Sequence, residues 1–282
     1  MHYMKKQVRT IFIFNLLVIQ IFLFSCSKDG GTATNNNGTS GNSNGTGNNT
    51  TTGSSSKKGI GLSEKNGFNN TQLQLLNVSW YYNWGLTTAA NSTVSFIPME
   101  WGTGGLSSLG TYSNLLGFNE PDNSSQSNLT VAQAIGNWPA LVSAAGKIGS
   151  PSMAGNPVTT GSWLQQFMQT TPAPKVDFIT VHWYKGVDTA KFYSDMTAIY
   201  TLFNLPIWVT EFAPQTASQS SSNPSQYSQD QVNQFIIATT NWMNKQTFIQ
   251  RYAWHDSQAG TSAIFTTSGQ LTATGSTYAS VK

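Results

Sequence analysis

Two of the four glutamates in this chain of 282 residues stand directly after apolar, strand-like segments. Glu120 follows the segment 115–119, and Glu211 follows the segment 207–210. Only 9% of the residues are charged, so carboxylates placed where buried strands reach the surface need an explanation. Two carboxyl groups that face one gap can cleave a glycosidic bond, since one protonates the leaving oxygen while the other reacts at the anomeric carbon. The placement of the pair therefore favours glycosidase chemistry.

The two glutamates need different surroundings if they divide the work in this way. As the acid, Glu120 must hold a proton, and apolar neighbours such as Phe118 favour the neutral form of a carboxyl group. As the nucleophile, Glu211 must stay ionised and should accept hydrogen bonds. The alternatives are a solvated loop position for Glu120 and a structural ion pair for Glu211, with Arg251 as its main candidate partner.

Other polar residues near the same segments could complete a site. His182 and Tyr184 lie two positions apart on one predicted strand, so both side chains point to the same face. If that face is the inside, Tyr184 can donate a hydrogen bond to Glu211, and His182 can bind substrate or tune the acid. A histidine satisfied within the core is the alternative. Glu100 could contact a sugar hydroxyl or help to keep Glu120 protonated.

Aromatic residues make up 12% of the chain and cluster at predicted strand ends. Flat rings stack on the C–H faces of sugar rings, so such residues suit an oligosaccharide groove, although alternation lets only about half of them face inward. His255 and Asp256 form either a second polar pair or part of a rim loop. The predicted substrate-binding residues are Asn119, His182, Tyr184, Trp84, Tyr82, Asn83, Glu100, Trp101 and Trp254.

Eight short apolar or aromatic segments predict the strands that carry these residues. They are 58–62, 78–84, 94–100, 114–119, 147–151, 178–184, 207–211 and 249–255. Helical patterns cover 129–145, 162–170, 188–203 and 226–245, and Thr130 with Gln133 resembles a capping box. Near-continuous apolar strands that alternate with helices indicate a parallel sheet whose outer face is covered.

This pattern predicts the α/β class and a (β/α)₈ TIM barrel, a compact single domain with some short or missing helices. The second and third connections are too short for full helices. An open doubly wound sheet is the rival, but no Gly-rich phosphate loop follows the first strand. In a barrel, catalytic groups lie at the carboxyl ends of the strands. Glu120 then ends strand four and Glu211 ends strand seven, facing each other across the mouth.

Five of the segments together resemble glycoside hydrolase family 128. They are WYYNW in strand two, FIPMEW in strand three, LLGFNEPD in strand four, FITVHWY in strand six and WVTEFA in strand seven. The resemblance runs through nearly all of residues 57–260. It implies a small (β/α)₈ barrel and retaining hydrolysis of β-1,3-glucan of the laminarin or curdlan type, usually inside the glucan chain. Glu120 would be the acid/base and Glu211 the nucleophile.

Two further functions stay open beside that one: binding of β-glucan by a surface lipoprotein without hydrolysis, and hydrolysis of another β-glucan linkage. We expect no cofactor. A metal site is not predicted either, because His182 and His255 are the only histidines beyond the N-terminal segment and offer no paired-histidine ligand set.

The N-terminal part of the chain predicts export and lipid anchoring. Residues 1–26 resemble a bacterial lipoprotein signal peptide, with basic residues, an apolar run and Cys26 as the lipidated residue. Cys26 is the only cysteine, so no disulfide can form within the chain. Residues 27–56 form a Gly/Asn/Ser/Thr tract, typical of a disordered tether, and residues 57–282 form the glycoside hydrolase domain.

Overall charge narrows the range of partners. Loss of the signal peptide removes three basic residues, so the fourteen of the full chain fall to eleven, which balances the eleven acidic residues. A near-neutral protein gives no reason to expect nucleic-acid binding. We expect a monomer in the bacterial cell envelope (outer membrane, periplasmic or surface-exposed), held to the membrane only by its lipid, with a β-glucan oligosaccharide or polysaccharide as its partner.

Overall fold

The computed structural model of the protein describes residues 55–215, 223–256 and 259–282. The predicted signal peptide, Cys26 and the tether up to residue 54 lie outside the described residues. Within these residues, no helix is both long enough and apolar enough to cross a membrane.

Eight parallel strands form the framework of the domain, as predicted. They are β1 (Lys58–Gly61), β2 (Trp80–Tyr82), β3 (Ser95–Phe96), β4 (Tyr112–Leu115), β5 (Ala145–Ile148), β6 (Ile179–Trp183), β7 (Ile207–Phe212) and β8 (Ile249–His255). One sheet has the order β3-β2-β1-β8-β7-β6, and the other pairs β4 with β5. Single parallel bridges join the two sheets at both edges, Met99 with Leu116 and Gly149 with Phe178, so the strands follow one another in a ring.

Six α-helices accompany the strands in the described residues. They are α1 (Asn70–Leu76), α2 (Val131–Ala144), α3 (Trp163–Met168), α4 (Thr189–Phe203), α5 (Gln229–Lys245) and α6 (Ala273–Ser280). The four predicted helices are confirmed, and Thr130 and Gln133 do form the capping box of α2. Residues 83–94 contain no helix, and the next connection holds one 3₁₀ turn at Leu106–Ser108, so the short second and third connections are also confirmed.

Aromatic side chains fill the inside of the barrel. The inner cluster consists of Trp80, Tyr82, Ile97, Met99, Leu116, Phe178, Trp208 and Ala253. Phe178 and Trp208 stack with their centroids 4.0 Å apart. Gly59 makes room for this packing, because a Cβ at that position would collide with the indole of Trp80. A larger cluster fills the layer between the strands and the helices, so packed rings hold the strands at fixed positions.

Candidate active site

A cleft of about 470 Å³ opens at the carboxyl ends of the strands. Both glutamates singled out in the sequence lie in it. Its lining consists of Ser63, Glu64, Lys65, Asn83, Trp84, Trp101, Asn119, Glu120, Gln126, Glu211 and His255. This is the end of a (β/α)₈ barrel where catalytic groups are found, so the cleft is the candidate active site.

A β-bulge in β7 turns Glu211 into this cleft. Val181 of β6 pairs with Val209, but the next residue, His182, pairs with Glu211, so Thr210 is an extra residue in β7. Trp208 faces the barrel interior, and plain alternation would send Glu211 outward. The inserted residue reverses that parity, so Glu211 faces the cleft while Phe212 packs in the outer layer.

Three donors hold the carboxylate of Glu211. The Tyr82 hydroxyl donates to Oε1 at 3.0 Å and the Trp84 indole N–H to the same oxygen at 2.8 Å, while the Tyr184 hydroxyl donates to Oε2 at 2.6 Å. Burial alone would raise the pKa of Glu211, but the charges of His182 and His255 and the bonds from Tyr184 and Trp84 lower it to about 2. Glu211 is therefore an ionised carboxylate at any physiological pH.

The two tyrosines remain reliable donors to this carboxylate. Burial, and then the negative charge of Glu211, raise the pKa of both Tyr82 and Tyr184 well above the usual value. Both hydroxyls therefore stay protonated at neutral pH, where Glu211 is ionised. The expected bond from Tyr184 to Glu211 is present in the structure.

Glu120 occupies a strained backbone position beside the nucleophile candidate. Its φ is 43°, in the left-handed region, and its N–H donates to the Ser152 carbonyl at 2.7 Å. Its Oε1 lies 2.9 Å from Nδ1 of His182, and its Oε2 accepts a bond from Asn123 at 3.2 Å. Apart from asparagines, Glu120 and Trp84 are the only non-glycine residues with positive φ in the described part of the chain. Both line the cleft, where such strain is common.

His182 joins the two carboxylates from below. Its Nδ1 contacts Glu120 at 2.9 Å, and its Nε2 lies 3.6 Å from Oε1 of Glu211. Burial opposes its charge, but Glu211, Glu120 and Asp122 together raise the pKa of His182. One oxygen of Glu120 and one of Glu211 lie within 4.8 Å of each other. Retaining glycosidases hold their two carboxyl groups about 5–5.5 Å apart and inverting ones about 6.5–9.5 Å apart, so two oxygens this close are consistent with a retaining mechanism.

The structural ion pair considered for Glu211 is not formed. Arg251 instead lies over the ring of Trp208, with its guanidinium carbon 4.3 Å from the ring centroid, and 5.3 Å from that of Trp80. Among the described residues, the ion-pair contact of Glu211 is with His182. The charge of Glu211 is therefore held by hydrogen bonds and histidines.

Several predicted binding residues do reach the cleft. Asn119, Asn83, Trp84 and Trp101 line it, as does His255. Trp101 is 38% exposed, so its ring offers an open face. The Oδ1 of Asn119 is buried with no hydrogen-bond partner among the described residues.

Four predicted binding residues take other positions. Tyr82 and His182 are buried beneath the floor and act on the carboxylates. Glu100 turns towards the loop after β3, where Oε1 accepts a bond from the Gly105 N–H at 3.0 Å, and burial raises the pKa of this carboxyl. Trp254 was predicted wrongly: it points outward and packs on Phe212 and Tyr278 under α6, because its neighbours Ala253 and His255 take the inward positions of β8.

The sequence prediction missed four residues of the cleft: Ser63, Glu64, Lys65 and Gln126. They belong to the loops after β1 and β4, which show no periodicity. They could have been predicted from one general rule: in a barrel, the loops at the carboxyl ends of the strands build the active site. Asp256, considered as a polar pair with His255, instead accepts a bond from the Ser63 hydroxyl at 2.7 Å.

Among the described residues, one group has donor atoms close enough together to hold a cation: Glu120, His182 and Glu211. The donors from Tyr82, Trp84 and Tyr184 already occupy both oxygens of Glu211. The geometry thus provides a hydrogen-bonded carboxylate pair without requiring an ion, and the predicted lack of a metal stays a prediction.

Comparisons with known proteins identify a family and similar solved structures. The family model of the glycosyl hydrolase catalytic core matches residues 59–278. A solved endo-β-1,3-glucanase of glycoside hydrolase family 128 (subgroup I) from Amycolatopsis mediterranei, in complex with laminaritriose, is 30% identical with a TM-score of 0.68, covering 79% of this chain and 98% of that one. An oligosaccharide-binding family 128 protein (subgroup VII) from Trichoderma gamsii is 23% identical with a TM-score of 0.65, covering 79% and 92% of the two chains, and shares the fold.

One curated relative is much longer than this chain. Alkali-sensitive linkage protein 1 of Schizosaccharomyces pombe is 28% identical over 219 residues. The match covers 72% of this chain but only 40% of that protein.

Proposed function

This chain belongs to glycoside hydrolase family 128, within the glycosyl hydrolase catalytic core, and we propose that it is a retaining endo-β-1,3-glucanase. The observation that carries the mechanism is the carboxyl pair at the floor of the cleft, with one oxygen of Glu120 and one of Glu211 within 4.8 Å.

Hydrolysis proceeds by double displacement. Glu120 protonates the glycosidic oxygen while Glu211 attacks the anomeric carbon, which breaks the glycosidic bond and forms a covalent glycosyl-enzyme. Glu120, now a carboxylate, takes a proton from water, and the water oxygen displaces Glu211. The sugar leaves with its original anomeric configuration.

The surroundings of the two carboxyl groups support these separate roles. Glu211, with a pKa of about 2 and three donors, is ionised and fixed in orientation, as a nucleophile must be. Glu120 has fewer donors, one oxygen facing His182 and the other accepting a long bond from Asn123. His182 keeps Glu120 beside the nucleophile at a fixed distance.

A neutral, polymeric substrate fits the rest of the cleft. Trp101 and Trp84 provide ring faces, and Asn119 provides an amide group for a sugar hydroxyl. Because the cleft is open to solvent on the barrel rim, a long chain can lie across it and be cut internally. The laminaritriose complex of the Amycolatopsis enzyme supports a β-1,3-linked glucan as the ligand.

The decisive experiment compares products from linear β-1,3-, β-1,4- and mixed-linkage glucans. We expect the wild-type protein to release a series of short oligosaccharides from the β-1,3-glucan, with the β-anomer appearing first by NMR. Glu211→Gln and Glu120→Gln should each lose at least about a thousandfold in kcat. Asp230→Asn, on the outer helix α5, is the control that should keep full activity.

Four results would each contradict the proposal. Full activity of Glu211→Gln would exclude this residue as the nucleophile. A first product with the α-configuration would exclude a mechanism that retains the anomeric configuration. If the wild-type protein bound insoluble β-1,3-glucan but released no soluble product, the result would favour a lipoprotein that only binds glucan. Cleavage of only the β-1,4-linked glucan would move the protein to another linkage.

The location of the protein forms a separate part of the proposal. We propose that Cys26 is lipidated after signal-peptide removal, and that the tract 27–56 tethers a monomeric domain to the bacterial cell envelope. The order of basic residues, apolar run and cysteine supports this. Metabolic labelling with palmitate should mark the wild-type chain and not Cys26→Ser, and sedimentation should give the mass of one chain.

A further inference from the structure

Trp84 holds the nucleophile from a backbone conformation that it would not adopt by itself. Its φ is 61°, which is unfavourable for a bulky residue. Its indole N–H donates to Oε1 of Glu211 at 2.8 Å, and its ring lies 5.0 Å from both Tyr82 and His255. The position of this donor therefore depends on whatever keeps the turn at Trp84 in place.

The side chain of Asn83 fixes that turn. Its Oδ1 accepts a bond from the N–H of Gly85 at 3.0 Å, and so spans the peptide units on both sides of Trp84. Its Nδ2 donates to the Thr87 carbonyl at 2.8 Å. The same Nδ2 donates to Oε1 of Glu64 at 3.0 Å, which links the turn to a different loop.

Glu64 ties the loop after β1 to the loop after β2. Besides Asn83, its Oε1 accepts a bond from the Thr88 hydroxyl, and its Oε2 accepts one from the N–H of Ala89 at 2.8 Å. One carboxylate thus receives three donors from the segment 83–89, which contains Trp84. These contacts use both of its oxygens, so Glu64 is anchored to the loop although it lies at the cleft surface.

We propose that Glu64 is a positioning residue: it locks the strained turn at Trp84 and thereby keeps the indole N–H on the nucleophile Glu211. The inference deepens the proposed function and rests on it for the role of Glu211. Glu64 acts at a distance from the reacting atoms, through Asn83 and then Trp84. The charged and titratable groups that face Glu211 directly are Glu120, His182, His255, Tyr82 and Tyr184. None of these five residues is a partner in the hydrogen bonds of Glu64 described above.

The test measures the titration of Glu211 itself. The chain has four glutamates, so labelling with ¹³C-glutamate gives four carboxyl signals, and Glu211→Gln identifies one of them. Loss of a hydrogen bond to a charged acceptor should raise the midpoint of the Glu211 titration by about one pH unit in Glu64→Ala. Trp84→Phe should raise it at least as much. Glu64→Gln, which keeps one acceptor oxygen, should shift it less than Glu64→Ala.

The double variant Glu64→Ala/Trp84→Phe separates a positioning role from a general loss of structure. If Glu64 acts through Trp84, the double variant should titrate like Trp84→Phe alone, and kcat should fall no further than in that single variant. An unchanged Glu211 titration in Glu64→Ala, or additive effects in the double variant, would overturn the inference. Asn83→Ala provides a second way to release the turn if Glu64→Ala does not fold, and Asp230→Ala is the neutral control.

The NMR titration keeps this inference separate from the proposed function. It reports the environment of Glu211 whether or not the protein hydrolyses glucan. Full activity of Glu211→Gln would refute the nucleophile role while leaving the Glu64–Trp84 linkage intact. If Glu211→Gln lost activity as expected but the Glu211 titration in Glu64→Ala matched the wild type, only the linkage between Glu64 and Trp84 would be refuted.

Discussion

Replacing Tyr184 with phenylalanine tests how the protein stabilises the ionised form of Glu211, the proposed nucleophile. The pKa of Glu211 in the folded protein is about 2, against an ordinary 4.5. Since the folded value is the lower one, ionised Glu211 stabilises the fold fully above pH 4.5, and this contribution is lost as the pH falls towards 2. At about 1.4 kcal/mol per pH unit, the contribution near neutral pH is about 3 kcal/mol.

Tyr184 should supply a large part of that stabilisation. Its hydroxyl donates to Oε2 of Glu211 at 2.6 Å, and a hydrogen bond to a charged group is worth about 1.5–3 kcal/mol. Tyr184→Phe should therefore unfold about 1.5–3 kcal/mol more easily than the wild type at pH 7. The difference should shrink below pH 4, where Glu211 becomes protonated in the variant. Urea unfolding at pH 7, 5, 4 and 3 measures both effects.

Tyr193→Phe is a matched control for this substitution. Its hydroxyl also donates a hydrogen bond, to the Ala238 carbonyl at 3.0 Å, but on the outer surface and to a neutral group. We expect a loss of about 1 kcal/mol at every pH. If Tyr184→Phe showed the same pH-independent loss, or if the acidic limb of its activity profile did not move upward, hydrogen bonding from Tyr184 would not be what keeps the pKa of Glu211 low.

Three further predictions concern the cleft and the barrel. Trp101→Ala should raise KM for laminarin oligosaccharides about fivefold to tenfold with kcat nearly unchanged, because Trp101 is an exposed ring at the cleft; steady-state kinetics with oligosaccharides of increasing length measure this. Burial lowers the pKa of Lys58 to about 8, so the wild type should gain stability relative to Lys58→Met as the pH rises from 8 towards 10.5, which urea midpoints would show. Incubation with EDTA followed by dialysis should leave glucan hydrolysis unchanged; a loss restored by one divalent ion would show that the carboxylate group holds a metal.

The sequence predicted the strands well because each strand is a nearly continuous apolar segment between turn residues. Its boundaries were less certain, and β4 and β5 begin two residues before the predicted segments. The pattern missed α6, whose sequence is rich in Gly, Ser and Thr and has little helix propensity. That helix forms because Tyr278 is buried against the barrel and Lys58 donates hydrogen bonds to the last carbonyls of the helix.

Side-chain direction was the main point that local patterns could not settle. Strict alternation places Trp208 inward and therefore Glu211 outward, and only the bulge at Thr210 corrects this. The bulge is defined by pairing with β6 and β8, strands that lie far away in the sequence. The same limitation explains Trp254, for which an aromatic residue near a strand end could equally well face the cleft or the helices.

The sequence by itself determined the family, the eight strands and the two carboxylates, because apolar periodicity and strand-end motifs are local properties of the chain. The tertiary structure decided which groups act on those carboxylates. Four residues converge on Glu211 from β2, β6 and the residues that follow these two strands: Tyr82, Trp84, His182 and Tyr184. Their hydrogen bonds and charges set the ionisation of Glu211, and such effects depend on distances of about 3 Å between residues up to 129 positions apart.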